Sequence, residues 1–124
     1  MVTVVRVLLV DDQEPFLHAM TAVVQETAGF EAVGQACSGE QSILVAAELR
    51  PHLVLMDVNL PGMDGLEATR RLRKCRFPPV VVLLSTYDED DGAHFVGECG
   101  AAAYVTKSAF GPDRLRAVWT AASG

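Results

Sequence analysis

Five short apolar runs, separated by segments of helical length, constrain the fold of this chain more than any other feature. The runs lie at residues 4–10, 30–36, 53–56, 80–84 and 101–105. Short apolar runs of this kind are typical of parallel strands buried on both faces. Parallel strands need crossover helices, and these cover both faces of the sheet. We therefore expect an α/β fold of (βα)5 order, with a doubly wound five-stranded parallel sheet.

The first two intervening segments carry clear helix boundaries. Pro15 suits a helix start, where its missing N–H has no helical partner. Leu17, Met20, Val24 and Ala28 follow at helical spacing, and Gly29 is the expected end of that helix. The second helix should begin at Ser38 or Gly39 and stop before Pro51.

Length and composition indicate one globular domain over residues 1–124, half of whose residues are apolar. No run approaches the length of a membrane helix and no signal peptide is visible, so we expect a cytoplasmic protein without membrane contact. Cys37, Cys75 and Cys99 have no metal-type spacing and should be reduced, mostly buried thiols. The net charge of −6 disfavours direct nucleic-acid binding by this domain.

One basic cluster interrupts the acidic composition, at Arg70, Arg71, Arg73, Lys74 and Arg76. Helical spacing would spread these charges around much of one helix. We interpret them as a solvated helix face, with a surface for docking a partner as the alternative.

Residues capable of chemistry follow four of the five runs. They are Asp11 and Asp12 after the first, Asp57 after the third, Ser85 and Thr86 after the fourth, and Lys107 after the fifth. Ligands of open parallel sheets bind beyond the carboxyl ends of the strands, so the fold should bring these residues to one rim. Each alone has a simpler explanation, such as a helix cap, a turn former or a solvated lysine. Only their joint placement indicates a site.

The chemistry of this set favours phosphoryl acceptance. Clustered carboxylates need a cation to stay ionised together, and hard oxygen ligands suit Mg²⁺. A carboxylate can act as a nucleophile and form an aspartyl phosphate. The ammonium of Lys107 and the hydroxyl of Ser85 could then contact the phosphoryl oxygens.

These residues stand in segments that resemble the receiver domains of two-component response regulators over nearly the whole chain. The segments are residues 7–12 (VLLVDD), 53–66 (LVLMDVNLPGMDGL), 80–85 (VVVLLS) and 100–107 (GAAAYVTK). The sequence of residues 62–66 is most similar to that of the NarL/FixJ subfamily. The resemblance implies a flavodoxin-like fold.

The resemblance also implies a role for each matching residue. Asp57 would be the phosphoacceptor, and Asp12 and Asp57 would bind Mg²⁺ together with the backbone carbonyl of Asn59. Asp11 would hold a metal-bound water, and Lys107 would pair with the phosphate. Ser85 would bond the phosphoryl group and move inward, and Tyr104 would turn from exposed to buried as it moves.

Two positions depart from the usual family pattern. Thr86 stands where a small residue is common, and its bulk could hinder access to the phosphoryl group. Ser108 stands where the wider family often has proline after the lysine. Asn59 and Tyr87 occupy positions that tune the lifetime of the acyl phosphate in relatives.

We therefore expect a switch that relays a signal from a sensor histidine kinase and is not an enzyme acting on an external substrate. The main alternative is a pseudo-receiver, a binding module that keeps the fold without phosphorylation. An aspartate-nucleophile phosphatase would need an acid two residues after the nucleophile, where Asn59 stands. A flavin carrier would need a better phosphate cradle than the acidic loop at residues 11–14.

The expected output lies outside this domain. Transcriptional control would need a linker and a DNA-binding domain after residue 124, so we expect the chain to be the N-terminal part of a longer regulator. Homodimerisation on phosphorylation is a further expectation, with Trp119 either on the dimer face or in the core.

Overall fold

A computed structural model describes residues 3–123; Met1, Val2 and Gly124 lie outside the described residues. The elements follow in the order β1 (Val5–Val10), α1 (Glu14–Glu26), β2 (Phe30–Ala36), α2 (Gly39–Leu49), β3 (Leu53–Asp57), α3 (Gly65–Arg73), β4 (Val80–Ser85), α4 (Glu89–Cys99), β5 (Ala103–Thr106) and α5 (Pro112–Ser123). A single turn of 3-10 helix at Lys107–Ala109 connects β5 to α5.

The five strands form one parallel sheet in the order β2-β1-β3-β4-β5. Successive side chains of a strand point to opposite faces, and each face has its own buried cluster. Val54 and Met56 of β3 pack on the side covered by α2, α3 and α4. Leu53 and Leu55 pack on the other side, with residues of α1 and α5. This doubly wound, flavodoxin-like arrangement confirms the predicted fold class.

The first helix ends earlier than predicted. It stops at Glu26, and Thr27 takes an extended conformation with φ −93° and ψ 116°. The buried Thr27 hydroxyl donates a hydrogen bond of 2.6 Å to the carbonyl of Val23, which helps to close the last turn. Gly29, with φ 89°, serves the turn into β2 and is not the helix end, and Ala28 is exposed.

Other boundaries differ by one or two residues in ways that matter for the site. Asp57 and Ser85 are the last residues of β3 and β4, so their backbones are held by the sheet ladder. β5 begins at Ala103, two residues later than the predicted run. The second helix starts as predicted, because the Ser38 hydroxyl accepts a hydrogen bond from the Gln41 amide.

Several composition-based predictions can be compared with the structure directly. Cys37, Cys75 and Cys99 are free thiols, but the prediction that they are mostly buried is wrong, since only Cys99 is buried and Cys37 is exposed. No helix within residues 3–123 has the length and apolarity required to span a bilayer. The ring of Trp119 is partly buried against the cluster between the sheet and α1 and α5, so it belongs at least in part to the core.

Candidate functional site

The carboxyl ends of β1, β3, β4 and β5 meet at one rim of the sheet. The parallel register pairs Asp57 with Leu84 and Ser85 with Thr106, so the ends of three neighbouring strands are level. A cavity of about 190 Å³ opens at this rim. Its lining residues are Asp12, Gln13, Asp57, Asn59, Ser85, Thr86 and Lys107. We call this cavity the acid pocket.

Three carboxylates come together at the acid pocket. One oxygen from each of Asp11, Asp12 and Asp57 lies within 4.8 Å of the others. Asp11 and Asp57 are buried, whereas Asp12 is exposed at the mouth of the pocket. Two buried like charges and a third beside them repel one another, so this cluster needs positive charge to remain ionised.

Lys107 supplies part of that charge. Its ammonium lies 2.9 Å from Oδ2 of Asp11 and 3.4 Å from Oδ2 of Asp57. The same ammonium lies 4.3 Å from the centre of the Phe16 ring. Phe16 therefore adds a cation–π contact that holds Lys107 in the pocket. No sequence pattern predicts this role, because the contact joins α1 to the segment after β5.

Asp11 lies beneath the pocket, and its two oxygens have different partners. Oδ1 accepts a hydrogen bond of 2.8 Å from the amide of Gln13. Oδ2 is buried and ion-paired with the ammonium of Lys107 at 2.9 Å, and among the described residues no other donor reaches it. A carboxylate oxygen has two lone pairs, so Oδ2 could accept from a bound water as well.

These donors fit a hard divalent cation. Carboxylate oxygens, some of them shared with water, are the ligands that Mg²⁺ prefers, and the cluster contains no nitrogen or sulfur donor that would favour zinc or copper. Asp12 and Asp57 face the cavity and are the residues suited to direct contact. Oδ2 of Asp11, whose partner among the described residues is the Lys107 ammonium, could also accept from a bound water.

The pKa of Asp57 lies above its ordinary value. Burial is the largest cause, and the charge of Asp11 raises it further. Lys107, the Asn59 amide and the Ser85 hydroxyl lower it by smaller amounts. The carboxylate is therefore held in an unfavourable charged state that additional positive charge would relieve.

Asn59 and Tyr87 meet across the mouth of the pocket. The backbone amide of Asn59 donates a hydrogen bond of 3.3 Å to Oδ1 of Asp57. Its side-chain oxygen accepts a hydrogen bond of 3.0 Å from the Tyr87 hydroxyl. A carboxamide cannot transfer protons as a phosphatase acid does, and here it is also engaged by a tyrosine.

Ser85 and Thr86 differ in exposure although both line the pocket. Ser85 is only 2% exposed at the end of β4, whereas Thr86 is exposed at the rim. A serine hydroxyl beside the carboxylate can donate to an incoming acceptor oxygen. Thr86 lines the cavity from an exposed position, and hindrance of the phosphoryl group by its side chain remains a prediction.

Tyr104 is partly buried against α4. Its hydroxyl donates a hydrogen bond of 2.6 Å to the carbonyl of Tyr87. Burial and the charges of Asp57, Asp88 and Asp91 raise the pKa of Tyr104 to about 12. The ring packs against Gly92, where a Cβ atom would overlap it. Tyr104 thus packs inward against α4 while staying partly exposed, and its role as a switch remains a prediction.

A second glycine fixes the backbone around Asp57. A Cβ atom at Gly65 would overlap the carbonyl oxygen of Asp57. The Gly65 amide also donates a hydrogen bond of 2.9 Å to the carbonyl of Val58. The first turn of α3 can therefore lie against the end of β3 only because residue 65 has no side chain.

Comparison with known proteins gives one consistent family. The family described as the response regulator receiver domain matches residues 7–120. The chain is 41% identical over 114 residues to response regulator GacA of Pseudomonas protegens, covering 92% of this chain and 54% of that protein. It is 32% identical to the transcriptional regulatory protein LiaR of Bacillus subtilis, covering 97% of this chain and 57% of that protein. It thus spans about half the length of these curated relatives.

Solved structures agree with these sequence relatives. The receiver domain of the response regulator NarL from Mycobacterium tuberculosis superposes with a TM-score of 0.88 at 27% identity, covering 98% of each chain. A two-component response regulator of the LuxR family from Aurantimonas superposes with a TM-score of 0.87 at 27% identity, covering 98% of this chain and 87% of that one.

Proposed function

The chain belongs to the response regulator receiver domain family, and from this membership and the geometry of the acid pocket we propose that Asp57 is its phosphoacceptor. A receiver domain is the phosphorylation-controlled part of a two-component response regulator. The resemblance and the comparisons identify the same family, and neither supports a pseudo-receiver.

One observation carries the assignment of Asp57. It is the carboxylate that both lines the cavity and lies 3.4 Å from the ammonium of Lys107. Asp11 contacts the same ammonium but does not line the cavity, and Asp12 lines the cavity without such a contact. A phosphoryl group on Asp57 would therefore have a cation next to it and open volume in front of it.

The reaction is a transfer between two nucleophiles. A carboxylate oxygen of Asp57 forms a new P–O bond while the P–N bond of a phosphohistidine on a sensor histidine kinase breaks, and the histidine nitrogen takes the electron pair. Lys107 stabilises the negative charge of the phosphoryl oxygens, and the Ser85 hydroxyl can donate to one of them. The domain thus accepts a group without turning over an external substrate.

Asp12 and Asp57 are the residues that would hold Mg²⁺, with the Asn59 carbonyl as a further ligand and Asp11 holding a bound water. When bound, the ion supplies positive charge that offsets repulsion among the carboxylates and the phosphoryl oxygens. The close approach of the three carboxylates and the raised pKa of Asp57 support this assignment.

Phosphorylation would act as a switch through Ser85 and Tyr104. A phosphoryl group adds nearly two negative charges and strong acceptor oxygens. It therefore favours the arrangement in which Ser85 and Lys107 converge on it. Tyr104, which lies between the Tyr87 carbonyl and Gly92, would transmit that change to α4.

The output belongs to the longer regulator. GacA and LiaR are named as a response regulator and a transcriptional regulatory protein. By analogy, a DNA-binding domain after this chain would provide the output, and phosphorylation would promote homodimerisation. This domain itself, with a net charge of −6, would not bind nucleic acid.

Intact-protein mass spectrometry after incubation with acetyl phosphate and Mg²⁺ tests this function. We expect a single phosphoryl adduct that is absent with EDTA and absent in Asp57→Asn. We expect Thr86→Ala to form the adduct faster, since the entrance becomes wider. If the wild type and Thr86→Ala are both folded and neither forms the adduct, the proposal is contradicted.

A further inference from the structure

Two adjoining hollows lie at the amino-terminal ends of β3 and β4, the end of these strands opposite the acid pocket. The first has a volume of about 280 Å³ and is lined by apolar residues that include Ala46, Leu72 and Pro79. The second has a volume of about 480 Å³ and is lined in part by Pro51, Val80 and Trp119. Both hollows share Arg50, Arg76 and Phe77. We call the two hollows and these three residues the basal groove.

Phe77 lies between the two hollows, lining both of them, and is flanked by two cations. Its side chain is 50% exposed although it is large and apolar. The guanidinium carbon of Arg50 lies 4.2 Å from the ring centre, and that of Arg76 lies 5.5 Å from it. A third guanidinium is close by, because Arg6 donates a hydrogen bond of 2.9 Å to the Arg50 carbonyl. Aromatic residues, Phe included, and arginine are enriched at protein interfaces, so this cluster is suited to contact a partner protein.

Arg6, Arg50 and Arg76 have no acidic partner, and among the described residues the same holds for Arg73, Lys74 and Arg114. Arg70 and Arg71 pair with Glu67, and Arg116 pairs with Asp113. Within residues 3–123, no salt bridge involves Arg6, Arg50 or Arg76.

The structure thus divides the basic cluster of the sequence. Arg70 and Arg71 form the expected solvated face of α3, whereas Arg76 lies beyond the end of that helix and lines the groove. In a chain of net charge −6, the basal groove is a local region of uncompensated positive charge.

The backbone of Arg50 supports a role beyond packing. It has φ 49° and ψ 61°, the left-handed conformation that glycine adopts most readily after a helix. Among the described residues it is the only one other than glycine with positive φ. A residue with a Cβ atom is strained in this conformation. The position nevertheless carries a guanidinium that points over Phe77.

From these observations we propose that the basal groove docks an acidic segment of a partner protein. Two apolar side chains of the segment enter the two hollows, and carboxylates between them pair with Arg50 and Arg76. The division of the groove by Phe77 fits two side chains of one extended segment better than one compact small molecule. This surface lies away from the acid pocket, and the inference does not rest on phosphorylation of Asp57.

An NMR titration tests the proposal with a defined probe. The probe is a capped Leu-Glu-Glu-Leu-Glu-Glu-Leu peptide, and its control replaces every Glu with Gln. We expect saturable amide shifts in the residues that line the basal groove, together with a change in the emission of Trp119, the only tryptophan of the chain. Removing one arginine, in Arg50→Gln or Arg76→Gln, should weaken binding roughly tenfold. Arg114→Gln removes an exposed arginine that lines neither hollow and should have no effect.

Several results would overturn the proposal. They are the absence of saturable shifts at millimolar peptide, equal binding of the Gln peptide, an equal loss in Arg114→Gln, or shifts centred on the acid pocket. Sedimentation velocity tests whether the occupant of the groove is instead a second copy of this chain. Self-association that is lost in both Arg50→Gln and Arg76→Gln would assign the groove to a homotypic contact and contradict the partner proposed here.

Discussion

The ring of Tyr104 occupies the space that a side chain at Gly92 would fill. Gly92 is buried in the first half of α4, and Tyr104 lies in β5 with its hydroxyl on the Tyr87 carbonyl. The inward position of Tyr104 therefore depends on the absence of a Cβ atom on the neighbouring helix. This contact links the segment that follows Ser85 to the edge of the sheet.

Replacement of Gly92 tests this contact. Alanine normally stabilises a helix relative to glycine by about 1 kcal/mol. In Gly92→Ala we expect the free energy of unfolding to fall instead, by roughly 1–3 kcal/mol, because the new methyl group overlaps the Tyr104 ring. Gly97→Ala is the matched control in the same helix, where a Cβ atom meets nothing within 4 Å. In urea denaturation, Gly97→Ala should raise the free energy of unfolding and Gly92→Ala should lower it. Equal stabilisation by both substitutions would show that the position of Tyr104 does not depend on Gly92.

Removal of Lys107 should destabilise the fold through the carboxylates it contacts. Lys107→Met leaves Asp11 and Asp57 buried without their cation, and losing one partner of a buried ion pair costs about 3–5 kcal/mol. The loss should shrink at lower pH, because protonation removes the repulsion. Lys74→Met, at an exposed lysine, should change the free energy of unfolding by no more than about 0.5 kcal/mol. Equal stabilities of the two variants in urea at neutral pH would refute this role.

The raised pKa of Asp57 predicts a pH-dependent cost to stability. Because the folded protein binds this proton more tightly than the unfolded chain does, stability falls as the pH rises from the ordinary value of 3.8 through the folded pKa. Asp57→Asn should lack this component and should have a higher Tm than the wild type at neutral pH in EDTA. Asp90→Asn, at an exposed residue of α4, should have the same Tm as the wild type. A wild type more stable than Asp57→Asn under these conditions would contradict the unfavourable charge.

Magnesium should reverse this cost. A ligand that binds only the folded state stabilises it by about 1.4 kcal/mol at tenfold excess over its Kd. We expect Mg²⁺ to raise the Tm of the wild type and of Asp90→Asn to the same extent, and to raise that of Asp12→Asn much less. Differential scanning calorimetry with and without MgCl₂ provides the measurement. An undiminished response in Asp12→Asn would remove Asp12 from the metal site.

The sequence was sufficient to place the acid pocket because the rule it relied on concerns backbone topology. Parallel strands end at one rim, so the positions of Asp57, Ser85 and Lys107 after their apolar runs determined that they would lie together. The end of α1 was predicted wrongly because the helical spacing continued to Ala28 and Gly29 is a common helix terminator. There the hydroxyl bond of Thr27 to Val23 closes the helix first.

Contacts between distant side chains could not be predicted in this way. Phe16 contacts Lys107, and Tyr87 contacts Asn59, only because of how helices and loops lie over the sheet. The same holds for the basal groove, where the guanidinium of Arg50 and that of Arg76 meet over Phe77 from separate segments. Sequence periodicity does not specify how side chains of separate segments point toward one another.

Identifying the modified residue tests the central claim most directly. Sodium borohydride reduces an aspartyl phosphate to homoserine, which tandem mass spectrometry can assign to one position. After incubation with acetyl phosphate and Mg²⁺, we expect homoserine at position 57 alone, and none after incubation with EDTA. Homoserine at position 11 or 12, or no conversion in a sample that carries the phosphoryl mass, would show that Asp57 is not the acceptor.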